Sequence, residues 1–182
     1  MNHSIAPAPK EFPDRQYLID LIRGWENKDA EQRDKILNEL RALDREKLID
    51  TLNNLLYDLD PYLQSYAIDL LITIDKQRSM DLLLPLLNTP EAGLRWFICD
   101  LLVDDGDERA VEPLIKVLLG DPNGSVRLMA AAALKHIGDT RAIPALQYAM
   151  EHDNGTDEEG RPVKGAAEEA LDSILRRAQS SE

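Results

Sequence analysis

One cysteine, Cys99, stands alone in the 182 residues, so an intrachain disulfide is excluded and no cysteine cluster can hold a metal. Set among Ile98, Leu101 and Leu102, it reads as a small core residue rather than a nucleophile. Basic residues are also scarce: 21 Lys and Arg face 34 Asp and Glu, for a formal charge of -13. Such a surface repels phosphate backbones and anionic lipid heads, which argues against nucleic acid and membrane as partners. No run of Lys or Arg with interleaved aromatics offsets that field. Long apolar runs are missing too, since Leu82 to Leu87 is far too short to span a bilayer. Met1 to Pro13 has no apolar core of a signal peptide; it reads as a flexible Pro- and Ala-containing arm, and a cytoplasmic location is the expectation. His3, His136 and His152 are scattered, and no nucleophile stands beside a base. Neither a catalytic site, nor a cofactor, nor a metal is expected.

What the chain does contain is a recurring helical pattern. Arg33, Gln64, Arg95, Arg127 and Lys164 form one column, and Leu40, Leu71, Leu102, Leu134 and Leu171 another, both with steps of 31, 31, 32 and 37 residues. Two columns that keep the same spacing mark a repeat array, in which each unit buries its apolar face against its neighbours. Each unit reads as two helices joined by a tight turn. Gly106 and Gly138 fall at matching turns, where a helix is expected to stop in a conformation that glycine alone adopts cheaply. Asp107 and Asp139 then stand ready to cap the next helix. Asp60-Pro61, Thr89-Pro90 and Asp121-Pro122 mark the starts of first helices, each a capping side chain before a proline suited to the first turn.

The expected organisation is an arm over 1–13, one repeat domain over 14–178 and a short tail over 179–182. A cap helix is predicted over 14–25, where Tyr17, Leu18, Leu21 and Ile22 form an apolar stripe. Repeats follow at about 28–58, 60–88, 90–119 and 121–151, and a C-terminal cap helix at about 162–177. The fold class predicted is all-α, an α-solenoid of about four helical hairpins with capping helices at both ends.

The run Val126-Arg127-Leu128-Met129-Ala130-Ala131-Ala132-Ala133-Leu134, followed by Ile137-Gly138-Asp139 and Arg141-Ala142-Ile143, resembles the HEAT-like repeat of the phycobiliprotein-lyase type. The resemblance covers about residues 28–177. It implies the solenoid fold, and it implies function loosely, because such repeats serve scaffolds, assembly factors, chromophore lyase subunits and a few enzymes. The di-iron hydroxylases that share the repeat use His-Glu dipeptides, and this chain has none. The function expected is non-catalytic protein–protein interaction as a scaffold, adaptor or assembly factor. The alternative is a phycobilin lyase or lyase-like subunit.

Candidate contact residues lie on two faces. On the first helices of the units, the places after the repeated Arg carry Tyr66, Trp96, Phe97 and Met129; on the second helices stand Asn54, Lys116, Gln147 and Tyr148. Their partner is expected to be a protein with a basic or apolar patch, since aromatics and Met are favoured interface anchors. Lys47, Arg78, Arg109 and Arg141 form a cationic column, expected to be a structural ladder bonding turn carboxylates or helix-end carbonyls of the next unit. The acids Glu151, Asp153, Asp157, Glu158 and Glu159 fail the calcium-loop template, because Gly155, Glu158 and Lys164 occupy key positions, and they read as a solvated loop.

Overall fold

The computed structural model describes residues 12–23, 27–58 and 60–180. Residues 1–11 of the arm, Trp25 at the predicted end of the cap helix, and the last two residues of the tail lie outside them. The fold class is all-α, an α-solenoid of helical hairpins. Contacts divide the chain into two compact units, Met1–Asp75 and Lys76–Glu182, where the spacing predicts one domain.

In the first unit, α1 (Arg15–Ile22), α2 (Ala30–Arg41) and α3 (Arg45–Leu55) precede α4 (Pro61–Leu83), whose residues up to Asp75 belong here. Each start has a carboxylate cap. Asp14 accepts from the Tyr17 amide, Asp44 from the Lys47 amide, and Asp29 and Gln32 form a reciprocal capping box. Leu18, Ile22, Leu40, Leu48, Leu52, Leu55, Ile68 and Leu71 fill the core at helical spacing. α4 breaks at Asp75, whose φ of -155° and ψ of 83° are not helical. At the repeat steps of 31 and 32 residues this is the position that Gly106 and Gly138 hold later; here it is an Asp, and the turn shrinks to a single extended residue.

The second unit continues with the 3-10 turn Leu84–Asn88, then α5 (Ala92–Asp105), α6 (Val111–Gly120), α7 (Gly124–Ile137), α8 (Ile143–His152) and α9 (Val163–Gln179). α5 packs on α7 and α7 on α9, forming one layer; α6 packs on α7 and α8 on α9 from the other. α7 shows why the sequence folds this way. Its alanines favour helix, and Ala130, Ala131 and Ala133 are fully buried, small enough to let neighbours approach on more than one side. Leu134, also fully buried, contributes about 1.5–3 kcal/mol of apolar burial.

Two features of the turns differ from the sequence expectation. Gly106 and Gly138 end α5 and α7 with φ of -65°, which any residue adopts, so conformational freedom is not why glycine is there. The reason is room: a Cβ on Gly106 would lie 2.4 Å from the Leu102 carbonyl oxygen and 2.6 Å from Ile137 Cδ1. On Gly138 it would lie 2.3 Å from the Leu134 oxygen and 2.9 Å from Ile174 Cδ1. The glycines let the end of α5 touch α7 and the end of α7 touch α9. Secondly, Pro61 opens α4 as predicted, but Pro90 and Pro122 sit two residues ahead of α5 and α7, which are entered from Glu91 and Asn123. Asn123 Oδ1 takes the Ser125 and Val126 amides, while the residues before it serve another purpose described below. Asp107 and Asp139 cap short 3-10 turns that lead into α6 and α8, accepting from the Arg109 and Arg141 amides.

Candidate functional site

Arg95 and Arg127, two members of the repeated column that defines the periodicity, are consumed inside the fold. Arg95, 5% exposed, donates from Nε and Nη2 to the two Asp121 oxygens at 2.6 and 2.9 Å, and from Nη1 to the Thr89 and Pro90 carbonyls at 2.8 and 2.9 Å. Arg127 does the same one repeat later, to Asp153 at 2.7 and 2.8 Å and to the Asp121 carbonyl at 2.8 Å. In the first unit Gln64 reaches the Asp58 carbonyl at 2.7 Å, again six residues back. Each side chain therefore ties the loop entering its own helix, and the two arginines also seize a carboxylate 26 residues ahead. This forked, bidentate geometry holds successive hairpins in register. An Asp stands 26 residues after both Arg95 and Arg127, a spacing present in the sequence.

The cationic column on the second helices is less uniform than expected. Arg109 donates to Asp107 of its own turn at 2.7 Å and reaches back to the Gln77 carbonyl at 3.1 Å and Asp81 at 2.8 Å. Arg141 binds Asp139 at 2.7 Å and reaches back to the Glu108 carbonyl at 3.4 Å. These bonds run to the preceding unit, not the next. Lys47 departs from the column altogether: its side chain is exposed and makes no bond among the described residues, and the neighbouring Arg45 instead pairs with Asp75 at 2.7 Å. A lysine lacks the fork that lets an arginine hold a turn and a neighbour at once. Arg78 is half-buried.

Electrostatics follow these contacts. Hydrogen bonds from Arg109, Arg141 and Arg127 hold the Asp107, Asp139 and Asp153 carboxyls below their ordinary range. For Asp121 burial pushes upward, but the Arg95 guanidinium and the Asn123 amide outweigh it, and the net direction is down. Carboxyls lowered by folding stabilise the native state above the unfolded-chain value of about 3.9 and lose that contribution as pH falls through their folded values. The melting midpoint is thus expected to be flat between about pH 5 and 7 and to fall steeply below about pH 4; circular dichroism melts across that range check it. Burial pushes the Cys99 thiol up to about 12, the environment of a packed residue rather than a reactive one.

Among the contact candidates, Tyr66 is 6% exposed and belongs to the core: it lies three residues after buried Leu63 and four before buried Leu70, on the apolar stripe of α4. Phe97 and Met129 are half-buried. Trp96 on α5 is 36% exposed, with no side-chain hydrogen bond or ring contact among the described residues. It borders a groove of about 360 Å³ formed with Ala92, Gly93, Asn123, Ser125, Val126 and the loop 157–161. On the other face, Lys116 borders an open groove of about 820 Å³ beside Pro85, Pro90, Pro113 and Pro122. Gln147 and Tyr148 are exposed on α8, and Tyr148 stacks on His152 with ring centres 4.5 Å apart. Leu119, which the sequence pattern did not single out, is also exposed near Tyr148. Asn54 is exposed on α3 of the first unit.

The acidic connection is more ordered than a solvated loop. The Asp153 carboxylate is held by Arg127, and that of Asp157, 6% exposed, accepts from Arg161 Nε at 2.6 Å and from the Glu159 and Arg161 amides. An antiparallel bridge between Thr156 and Pro162 pins the loop, with Gly160 at φ 82° supplying the turn. Glu158 and Glu159 are left pointing to solvent beside Trp96.

Among the described residues, no helix is long and apolar enough to cross a membrane. A family model described as HEAT repeats matches residues 80–172. The chain is similar in fold to the crystal structure of an engineered protein from the Northeast Structural Genomics Consortium, with a TM-score of 0.51 and 20% identity over 89% of this chain and 79% of that one. A second engineered protein from the same consortium gives 0.48 and 21%, over 88% of this chain and 47% of that one. No curated protein matches.

Proposed function

The chain belongs to the HEAT-repeat family, and from that premise we propose that it is a non-catalytic protein-recognition module, a scaffold or assembly factor, whose contact surface is the α5 face around Trp96. HEAT repeats generally mediate protein–protein interaction. The observation that carries the reading here is the exposed Trp96. One repeat later its register position holds Leu128, 9% exposed, so the stacking of repeats places an apolar side chain there and does not need it at the surface. A large exposed aromatic on a groove edge is a typical anchor for another chain.

Trp96→Asp is the test. The variant is expected to retain its helical circular dichroism and to lose partner capture from an extract of the native organism, at both low and high salt. Capture undiminished in the folded variant would move the interface elsewhere, with Tyr148→Asp on α8 as the comparison. The lyase reading rests on the repeat resemblance, and mixing the purified chain with a bilin separates it: a recognition module gives no absorption shift.

A further inference from the structure

We propose that the groove beside Trp96 receives a cationic side chain, an arginine or lysine in an extended basic segment of the partner protein. The inference rests on the recognition reading above and specifies its occupant. The groove has an apolar wall from Ala92, Trp96 and Val126, and a carboxylate wall from Glu158 and Glu159. Gly93, on the same lining, leaves space open: a Cβ built there meets nothing within 4 Å.

Charge identifies the occupant. Of the three acids on the loop, Asp157 is consumed by Arg161 at 2.6 Å, and Glu159 shares the same guanidinium at 3.4 Å. Glu158 has no ion-pair partner among the described residues. Arg161 meets both of these carboxylates through Nε, and the three acids outnumber this one cation, so Glu158 and part of Glu159 remain to receive a second. The chain's charge of -13 draws basic segments toward the surface and repels acidic ones. An indole face beside carboxylates is the arrangement that holds an organic cation, since the ring quadrupole attracts it and the acids neutralise it. Arginine fits best, because its planar group stacks on the ring while its fork meets a carboxylate.

The test is a fluorescence titration of the chain carrying Trp25→Phe, so that Trp96 alone reports, with calorimetry on the unaltered chain beside it. The probe is a nine-residue peptide alternating Arg and Ser; its control replaces each Arg with citrulline, which keeps the shape and removes the charge. The Arg peptide is expected to quench Trp96 and the citrulline peptide to bind roughly 2- to 30-fold more weakly. Glu158→Gln with Glu159→Gln should weaken Arg-peptide binding several-fold, and Gly93→Phe, filling the open space without changing charge, should abolish it. Equal affinity for both peptides, or binding untouched by Gly93→Phe, overturns the proposal, the latter by showing diffuse attraction to the acidic surface. Absence of binding up to millimolar peptide also overturns it. If the natural partner is captured through Trp96 but equally by the double Gln variant, the recognition reading stands and the cation does not. If Trp96→Asp keeps the partner, both fall.

Discussion

Arg95→Ala is expected to lose about 3–5 kcal/mol of stability, because it leaves a buried carboxylate uncompensated. Asp121, 9% exposed, would keep the Asn123 amide at 2.9 Å and lose both guanidinium bonds. The Thr89 and Pro90 carbonyls would lose their donor as well. Breaking a buried pair from one side costs far more than the pair is worth against an apolar substitute, because desolvation of the survivor is no longer offset. For a chain of this size the melting midpoint should drop by about 6–20 °C. Arg95→Lys should fall between, keeping the charge but losing the fork that serves Asp121 and the two carbonyls together.

A pH series separates this from simple loss of packing. In the wild type the Asp121 carboxyl lies below its ordinary range because the Arg95 bonds and the Asn123 amide outweigh burial. With Arg95 gone, the upward push of burial has less to oppose it, so the variant's Asp121 protonates at higher pH. The gap between wild type and variant should therefore be widest near neutrality and narrow below about pH 4, where the wild type also loses its ion pair. A gap independent of pH would assign the loss to the side chain's volume. Arg109→Ala, whose guanidinium lies near the surface beside Asp107 and Asp81, should give a much smaller loss.

The contrast between these arginines shows what the sequence could and could not convey. Helical period and repeat spacing are one-dimensional signals, and they placed α5 to α9 and the capping roles of Asp107 and Asp139 without any knowledge of packing. The choice of partner for Arg95 is a three-dimensional fact. Asp121 lies 26 residues away, and its turn carbonyl also receives Arg127. The same limit hid Tyr66, which lies on the buried stripe of α4 while its column-mates Phe97 and Met129 are half-buried. It also hid Asp153 and Asp157, acids that composition assigns to solvent and that Arg127 and Arg161 draw inward. Trp96 was legible as a residue type in an unusual place; the groove beside it, formed by a loop 61 to 65 residues later, at positions 157 to 161, was not.

Gly138→Ala is the second large effect, and its sign depends on two opposing terms. Replacing glycine where the backbone suits any residue, as at φ -65°, ordinarily stabilises by about 0.4–1 kcal/mol through the unfolded chain. Against this stands the added methyl, 2.3 Å from the Leu134 carbonyl oxygen and 2.9 Å from Ile174 Cδ1. Ile174 is 2% exposed and packed in α9, so it has little room to retreat, and the carbonyl is backbone at the end of α7. Forcing a methyl into such a site typically costs about 1–3 kcal/mol, more than the entropic gain, so the variant should be less stable by about 1–2 kcal/mol. Gly106→Ala, which meets the Leu102 carbonyl at 2.4 Å and Ile137 Cδ1 at 2.6 Å, should behave alike. The control is Gly93→Ala, inside α5 with open space around it, which should stabilise by about 0.5–1 kcal/mol. Urea unfolding of the three variants decides the matter. Loss at both turns with gain at Gly93 makes helix-to-helix contact the reason for the repeated glycine, whereas gain at all three would show that the turns accept a methyl and that the next helix yields to it.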